Sequence, residues 1–283
     1  CQRVHLCYKK CMIIFLYTDK NCEYQAINCI RSLIPRLREN DKIVYYTIGF
    51  NSEYESTKLY KLKIGYKDYP TFHYYKAELS LITMDLFPNE EHFMFTDTDV
   101  LFSRRFNPAT IEHTYDYPLA SFGPHECPFI YEINNEQTII YNETKLMQYL
   151  GVGSRSMRYV WSCIYSFNRK CRDFLEEYTS FCKNEYLIAR RKLYYPFHDE
   201  TSFNVCLFKR NATQNLGYAF VNTHDPELVK KVEESIIKDM RAGTNIDALG
   251  NDWEYIHDSD KVIMYHGFKD NSQSQKALEY ILK

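Results

Sequence analysis

Short apolar runs alternate along the chain with longer amphipathic stretches, and that alternation predicts β-α units around a mostly parallel sheet. Residues 11–17 (CMIIFLY) form a continuous apolar run ended by Thr18-Asp19, as expected of a strand buried on both faces. Ala26, Ile30, Leu33, Ile34 and Leu37 then recur at helical spacing within residues 22–38. Residues 42–50 predict a second strand, and residues 71–87 a helix closed by Pro88. A third strand over 92–96 stops where Asp97 begins. Further strands are predicted over 118–122, 159–167, 218–221 and 261–265, with helices over 169–183, 199–209 and 226–240. Residues 123–158 show little periodicity and are expected to form loops. Ligands of open α/β sheets bind outside the carboxyl ends of the strands. Thr18-Asp19, Asp97-Thr98-Asp99 and His266 all fall at predicted strand ends.

Composition narrows this picture. At 283 residues the chain buries enough apolar surface to fold without disulfides. No repeat, linker or low-complexity segment divides it, so it is expected to be one α/β domain over 1–283. The 35 basic and 37 acidic residues nearly cancel, which argues against a nucleic-acid binder working by phosphate neutralisation. A small anionic ligand remains open, because it needs only a local cation or metal. The ten cysteines contain no C-x-x-C pair, so a structural zinc site or a thioredoxin-like motif is not expected. Cys11, Cys29, Cys163 and Cys206 lie in apolar runs and read as buried thiols. Reduced cysteines fit the cytoplasm, and a disulfide-bonded lumenal protein is the alternative. No apolar run is long enough to span a bilayer. The expected location is therefore cytoplasmic or peripheral to a membrane, or the secretory lumen if a segment before Cys1 has been removed. Asn142-Glu143-Thr144 and Asn211-Ala212-Thr213 are glycosylation sequons of a kind that also arises by chance.

The candidate chemistry begins at Asp97-Thr98-Asp99. Two carboxylates one residue apart, between the apolar runs 92–96 and 100–102, are costly to bury without a cation or a hydrogen-bond network. A hard divalent ion such as Mn²⁺ or Mg²⁺ takes oxygen ligands and bridges to substrate phosphates, which meets that need. The plainer account is a turn whose acids cap the next segment. His266, in Tyr265-His266-Gly267-Phe268-Lys269-Asp270, supplies an imidazole suited to Mn²⁺. Gly267 allows close backbone approach or positive φ, and Lys269 can balance charge on a diphosphate. Asp199 and Glu200, in His198-Asp199-Glu200-Thr201, precede an apolar helix. Asp199 as N-cap and Glu200 in the first turn would account for them structurally. As functional groups, Asp199 would hold sugar hydroxyls and Glu200 would face an anomeric carbon.

Asp97-Thr98-Asp99 on its apolar strand resembles the D-x-D motif of GT-A-fold glycosyltransferases. Residues 265–270 are similar to the His-x-Gly-x-Lys element of glycogenin-like and bacterial galactosyl transferases, without the Pro-Trp that usually follows. His198-Asp199-Glu200-Thr201 with Asn204 resembles the His-Asp-Glu-Ser-x-x-Asn stretch of blood-group-type retaining transferases, whose glycine-rich acceptor segment is not apparent here. The resemblance runs over residues 11–270 and implies a Rossmann-like, nucleotide-diphospho-sugar transferase fold. It implies a donor-binding part over about 11–122, and an acceptor and catalytic part over about 123–283. It further implies Asp97, Asp99 and His266 as metal ligands and Glu200 with Asp199 as catalytic groups. Tyr17, Thr18, Asp19, Lys76, Asp97, Thr98, Gly267 and Lys269 would contact a UDP- or GDP-sugar donor. The acceptor would be a glycan or glycoconjugate hydroxyl. A haloacid-dehalogenase-type phosphatase also carries D-x-D, but expects Thr or Val where Leu101 stands. A nucleotidyltransferase would carry a glycine-rich basic loop in place of Thr18-Asp19-Lys20-Asn21. A non-catalytic carbohydrate- or nucleotide-binding domain and an inverting transferase stay open.

Overall fold

A computed structural model of the chain describes residues 11–69, 72–111, 114–122, 131–133, 139–141, 159–183, 198–216, 219–242 and 262–283. Eleven strands are found among these: β1 (Met12–Thr18), β2 (Lys42–Ile48), β3 (Leu59–Ile64), β4 (His92–Thr96), β5 (Val100–Phe102), β6 (Leu119–Phe122), β7 (Tyr131–Ile133), β8 (Ile139–Tyr141), β9 (Val160–Asn168), β10 (Ala219–Asn222) and β11 (Val262–His266). The described helices are α1 (Glu23–Leu33), α2 (Tyr75–Leu86), α3 (Arg172–Lys183), α4 (His198–Lys209), α5 (Pro226–Ala242) and α6 (Asn271–Leu282).

Six strands form one sheet in the order β3-β2-β1-β4-β9-β6. The pairs β3-β2, β2-β1 and β1-β4 are parallel, whereas β9 runs antiparallel to both β4 and β6. The sheet is therefore mixed where the sequence predicts mostly parallel pairing. An apolar run specifies burial but not direction, and β9 enters the sheet reversed. Every residue of β1 is buried, as its unbroken apolar run predicts. Helix α2 packs on α3 and α3 on α4, while α1 packs on α6 and α6 on α5.

A second sheet, ordered β10-β11-β5, stands beside the first. Its strand β5 pairs antiparallel with β11, with Val100 opposite His266. Alternation along β5 links two cores: Val100 and Phe102 face the main one, while Leu101 joins Val221, Val232, Tyr265, Phe268 and Leu278. β7 and β8 form a separate hairpin within 123–158, and the rest of that predicted loop region lies outside the described residues.

Sequence patterning misses β3, β5, β7, β8 and α6 altogether. It starts three helices early, since short 3-10 turns over Phe72–Tyr74 and Arg169–Cys171 precede α2 and α3, and another over Lys20–Cys22 precedes α1. No disulfide joins any two of the seven described cysteines, and Cys11, Cys29, Cys163 and Cys206 are buried as expected. Cys1, Cys7 and Cys127 lie outside the described residues, as does the sequon at Asn142. Among the described residues no helix is long and apolar enough to cross a membrane.

Candidate metal centre

The main sheet delivers Asp97 and the small sheet delivers His266. Asp97 directly follows β4, and its amide donates to the Cys163 carbonyl of β9 at 2.7 Å. Asp99 directly precedes β5, and its carbonyl accepts from the Gly267 and Phe268 amides at 3.1 and 3.4 Å. One carboxylate is thereby tied to each sheet. His266 closes β11 rather than following it, one residue later than the predicted strand end. Side-chain ligand atoms of Asp97, Asp99 and His266 all lie within 4.8 Å of one another. His266 Nε2 is 3.5 Å from Asp99 Oδ1. The edge of Trp161 packs against the imidazole, with ring centroids 5.1 Å apart.

Gly267 has φ +108, a region closed to other residues without strain, so its flexibility is used as the sequence suggests. A Cβ there would sit 3.2 Å from Asn222 Oδ1. Lys269 is exposed just beyond, and its carbonyl accepts from the Tyr24 hydroxyl. Thr98 is half-buried, its hydroxyl 3.5 Å from Gln25 Oε1, and the Gln25 amide in turn donates to the Phe268 carbonyl. Helix α1 thus braces both loops that carry the ligands.

Behind Asp97 lies Lys76, 2% exposed, on α2. Its Nζ is 2.9 Å from Asp199 Oδ2 and 3.4 Å from Asp97 Oδ1. Burial works against this charge, but Asp199 and then Asp97 outweigh it and hold the lysine well above its ordinary pKa. Asp199 does not act as the N-cap of its helix. It sits inside the first turn of α4, and its carboxylate accepts from Lys76 and from the Ser162 hydroxyl at 3.1 Å. Glu200, half-buried beside it, accepts from the Ser162 amide at 3.4 Å. Burial, reinforced by Asp199, pushes the Glu200 carboxyl up to about 8. Asn204 clamps this corner: its side chain exchanges two 2.8 Å hydrogen bonds with the Val160 backbone and donates to the Glu200 carbonyl.

The first-strand residues stand differently. Tyr17 is packed among Phe72, Tyr75 and Phe95, and its hydroxyl donates to the Phe72 and His73 carbonyls at 3.2 Å. Thr18 is buried, with its hydroxyl on the Asp19 carbonyl. The Asp19 carboxylate caps the short turn that follows, accepting from the Asn21 and Cys22 amides. All three have structural partners at the same carboxyl edge as Asp97 and His266.

The residues present fit a hard dication. Burial first, and Asp99 and Asp199 after it, raise the Asp97 pKa, with Lys76 the main opposing charge. Lys76 is shared by Asp97 and Asp199, with Asp99 close to Asp97 and Glu200 beside Asp199, so the corner gathers four carboxyl groups around one buried lysine. Two carboxylates and an imidazole suit Mn²⁺, and Mg²⁺ if the oxygens dominate. Sequence reasoning missed Ser162, Trp161 and Asn222, which carry no motif. Asn204 was visible only as the end of a resemblance. No protein-family model matches this chain, and no curated protein matches it significantly.

Proposed function

We propose that this chain is a metal-dependent glycosyltransferase of the GT-A fold, moving a sugar from a UDP- or GDP-sugar to a hydroxyl of a glycan, lipid or protein acceptor. The observation that carries this reading is the meeting of Asp97, Asp99 and His266 at the carboxyl edge of two sheets. A Mn²⁺ or Mg²⁺ bound there would neutralise the donor diphosphate and make the nucleotide a better leaving group. Asp97, Asp99 and His266 would hold the ion, and exposed Lys269 would add positive charge beside the donor phosphates. Lys76 fixes the orientation of Asp97 while holding Asp199 for the sugar hydroxyls. Glu200 supports an oxocarbenium-like sugar from the donor face if configuration is retained. The Glu200 carboxyl, raised to about 8, is also matched to receiving the acceptor proton near neutral pH, which favours inversion as the second reading.

Purified protein incubated with UDP- and GDP-sugars and Mn²⁺ tests the reading. Release of nucleoside diphosphate should require the ion and fall at least about 100-fold in Asp99→Asn, an electrostatic loss of about 3 kcal/mol in the barrier. Anomeric NMR of the released or transferred sugar separates retention from inversion. Binding of donor and Mn²⁺ with no turnover across a broad acceptor panel would make the chain a binding module instead. Equal turnover in Asp99→Asn would remove the metal assignment.

A further inference from the structure

His266 can ligate an ion through Nε2 only while Nε2 carries no proton, so a partner that holds the ring proton on Nδ1 favours binding. The residue placed to do so is Asn222. It closes β10 directly opposite His266 in the parallel β10-β11 pair, and the Thr223 amide donates to the His266 carbonyl at 2.8 Å, fixing the register. Asn222 Oδ1 lies 3.2 Å from His266 Nδ1. With Oδ1 accepting, Nδ1 holds a proton, and Nε2 stands 3.5 Å from Asp99 Oδ1, a carboxylate that competes for a proton there until an ion takes its place. Trp161 limits rotation of the same ring from the side. The absence of a side chain at Gly267 keeps room for the amide, because a Cβ there would come within 3.2 Å of Asn222 Oδ1.

We propose that Asn222 is a positioning residue that selects the metal-binding tautomer of His266, and that Gly267 is required partly to leave space for it. The inference rests on the reading of Asp97, Asp99 and His266 as a metal centre, but its tautomer component stands without any ion. Outer partners of metal-bound histidines fix ring tautomer and orientation, and losing one typically costs about 10–100-fold in metal affinity.

The test uses Asn222→Leu, similar in volume but without an acceptor, and Asn222→Asp, which restores one. Long-range ¹⁵N NMR of the metal-free protein, recorded at a pH where the ring is neutral, reports the His266 tautomer. The wild type should be protonated at Nδ1, Asn222→Asp should remain so, and Asn222→Leu should shift to Nε2 protonation. Titration of free Mn²⁺ followed by electron paramagnetic resonance should show affinity about 10–100-fold weaker in Asn222→Leu and restored in Asn222→Asp. A wild-type His266 protonated at Nε2 overturns the proposal, and so does Asn222→Leu with unchanged tautomer or unchanged Mn²⁺ affinity. Wild-type protein in which neither Asp99→Asn nor His266→Ala alters Mn²⁺ binding instead overturns the metal centre itself. The metal-free NMR result still judges Asn222 in that case.

Discussion

Against Tyr265 lies a buried carboxyl whose ionisation should set how the small sheet responds to pH. Glu233, on α5, is 1% exposed. Its Oε1 accepts from the Tyr265 hydroxyl at 2.9 Å, and Arg104 Nε lies 3.2 Å from its Oε2. Burial raises this carboxyl from its ordinary 4.5 to about 7, with Tyr265, Arg104 and Arg36 opposing the rise. A raised carboxyl binds its proton more tightly folded than unfolded. The resulting stabilisation is complete below about 4.5 and is lost as pH climbs through about 7. At about 1.4 kcal/mol for each tenfold change in proton affinity, the loss amounts to about 3 kcal/mol. That is a substantial share of a typical folding free energy of about 5–15 kcal/mol. Glu233→Gln keeps an acceptor for Tyr265 and removes the titration. Urea melts of metal-free wild type and Glu233→Gln between pH 4.5 and 8 isolate the effect, because Glu200 titrates in the same direction in both proteins and cancels in the difference. The wild type should lose about 3 kcal/mol relative to the variant across this range. A gap that stays constant within about 0.5 kcal/mol, the spread expected of a neutral change, would refute the assignment.

Two further outcomes test the corner around the metal centre. Lys76→Met should strand Asp97 and Asp199 without their shared cation and cost about 3–5 kcal/mol in metal-free melts, and added Mn²⁺ should recover part of that loss. Equal melting of the variant and the wild type would mean that the lysine is not paired in solution. Gly267→Ala should cost about 1–3 kcal/mol from its positive φ and weaken Mn²⁺ binding through Asn222, both read from denaturation curves with and without the ion.

The sequence makes Asp97 and His266 legible, because each stands at the carboxyl end of an apolar strand that one-dimensional patterning detects, and Asp99 is found through its spacing from Asp97. β4 spans the residues its run predicts, and β1 differs by a single position at each end. What patterning loses is set by tertiary context. β3 has only half-buried and exposed residues at the sheet edge, with Tyr60 47% exposed, and its two lysines mask it. β5 has only three residues. In α6, Ser274, Ala277, Leu278 and Ile281 do recur at helical spacing, but the first turn is polar and Asp270 caps it after a loop. The direction of β9 depends on its neighbours and leaves no mark in its own residues. The resemblance implies a donor-facing Lys76, and its engagement by Asp97 and Asp199 arises only when α2, β4 and α4 meet. Asp199 looks like a cap because its helix is predicted to begin at that residue, whereas α4 begins at His198.

The short stretch from Asp97 to Asp99 is also a seam. Asp97 is hydrogen-bonded to the main sheet through Cys163, and Asp99 to the small sheet through Gly267 and Phe268. An ion bridging both carboxylates and His266 would span that seam and act as a rivet between two cores. Docking of the small sheet and affinity for the ion would then be expressions of one free energy. A substitution deep in the second core, far from any ligand atom, would loosen the ion, and the ion would in turn protect β10 and β11 from local opening.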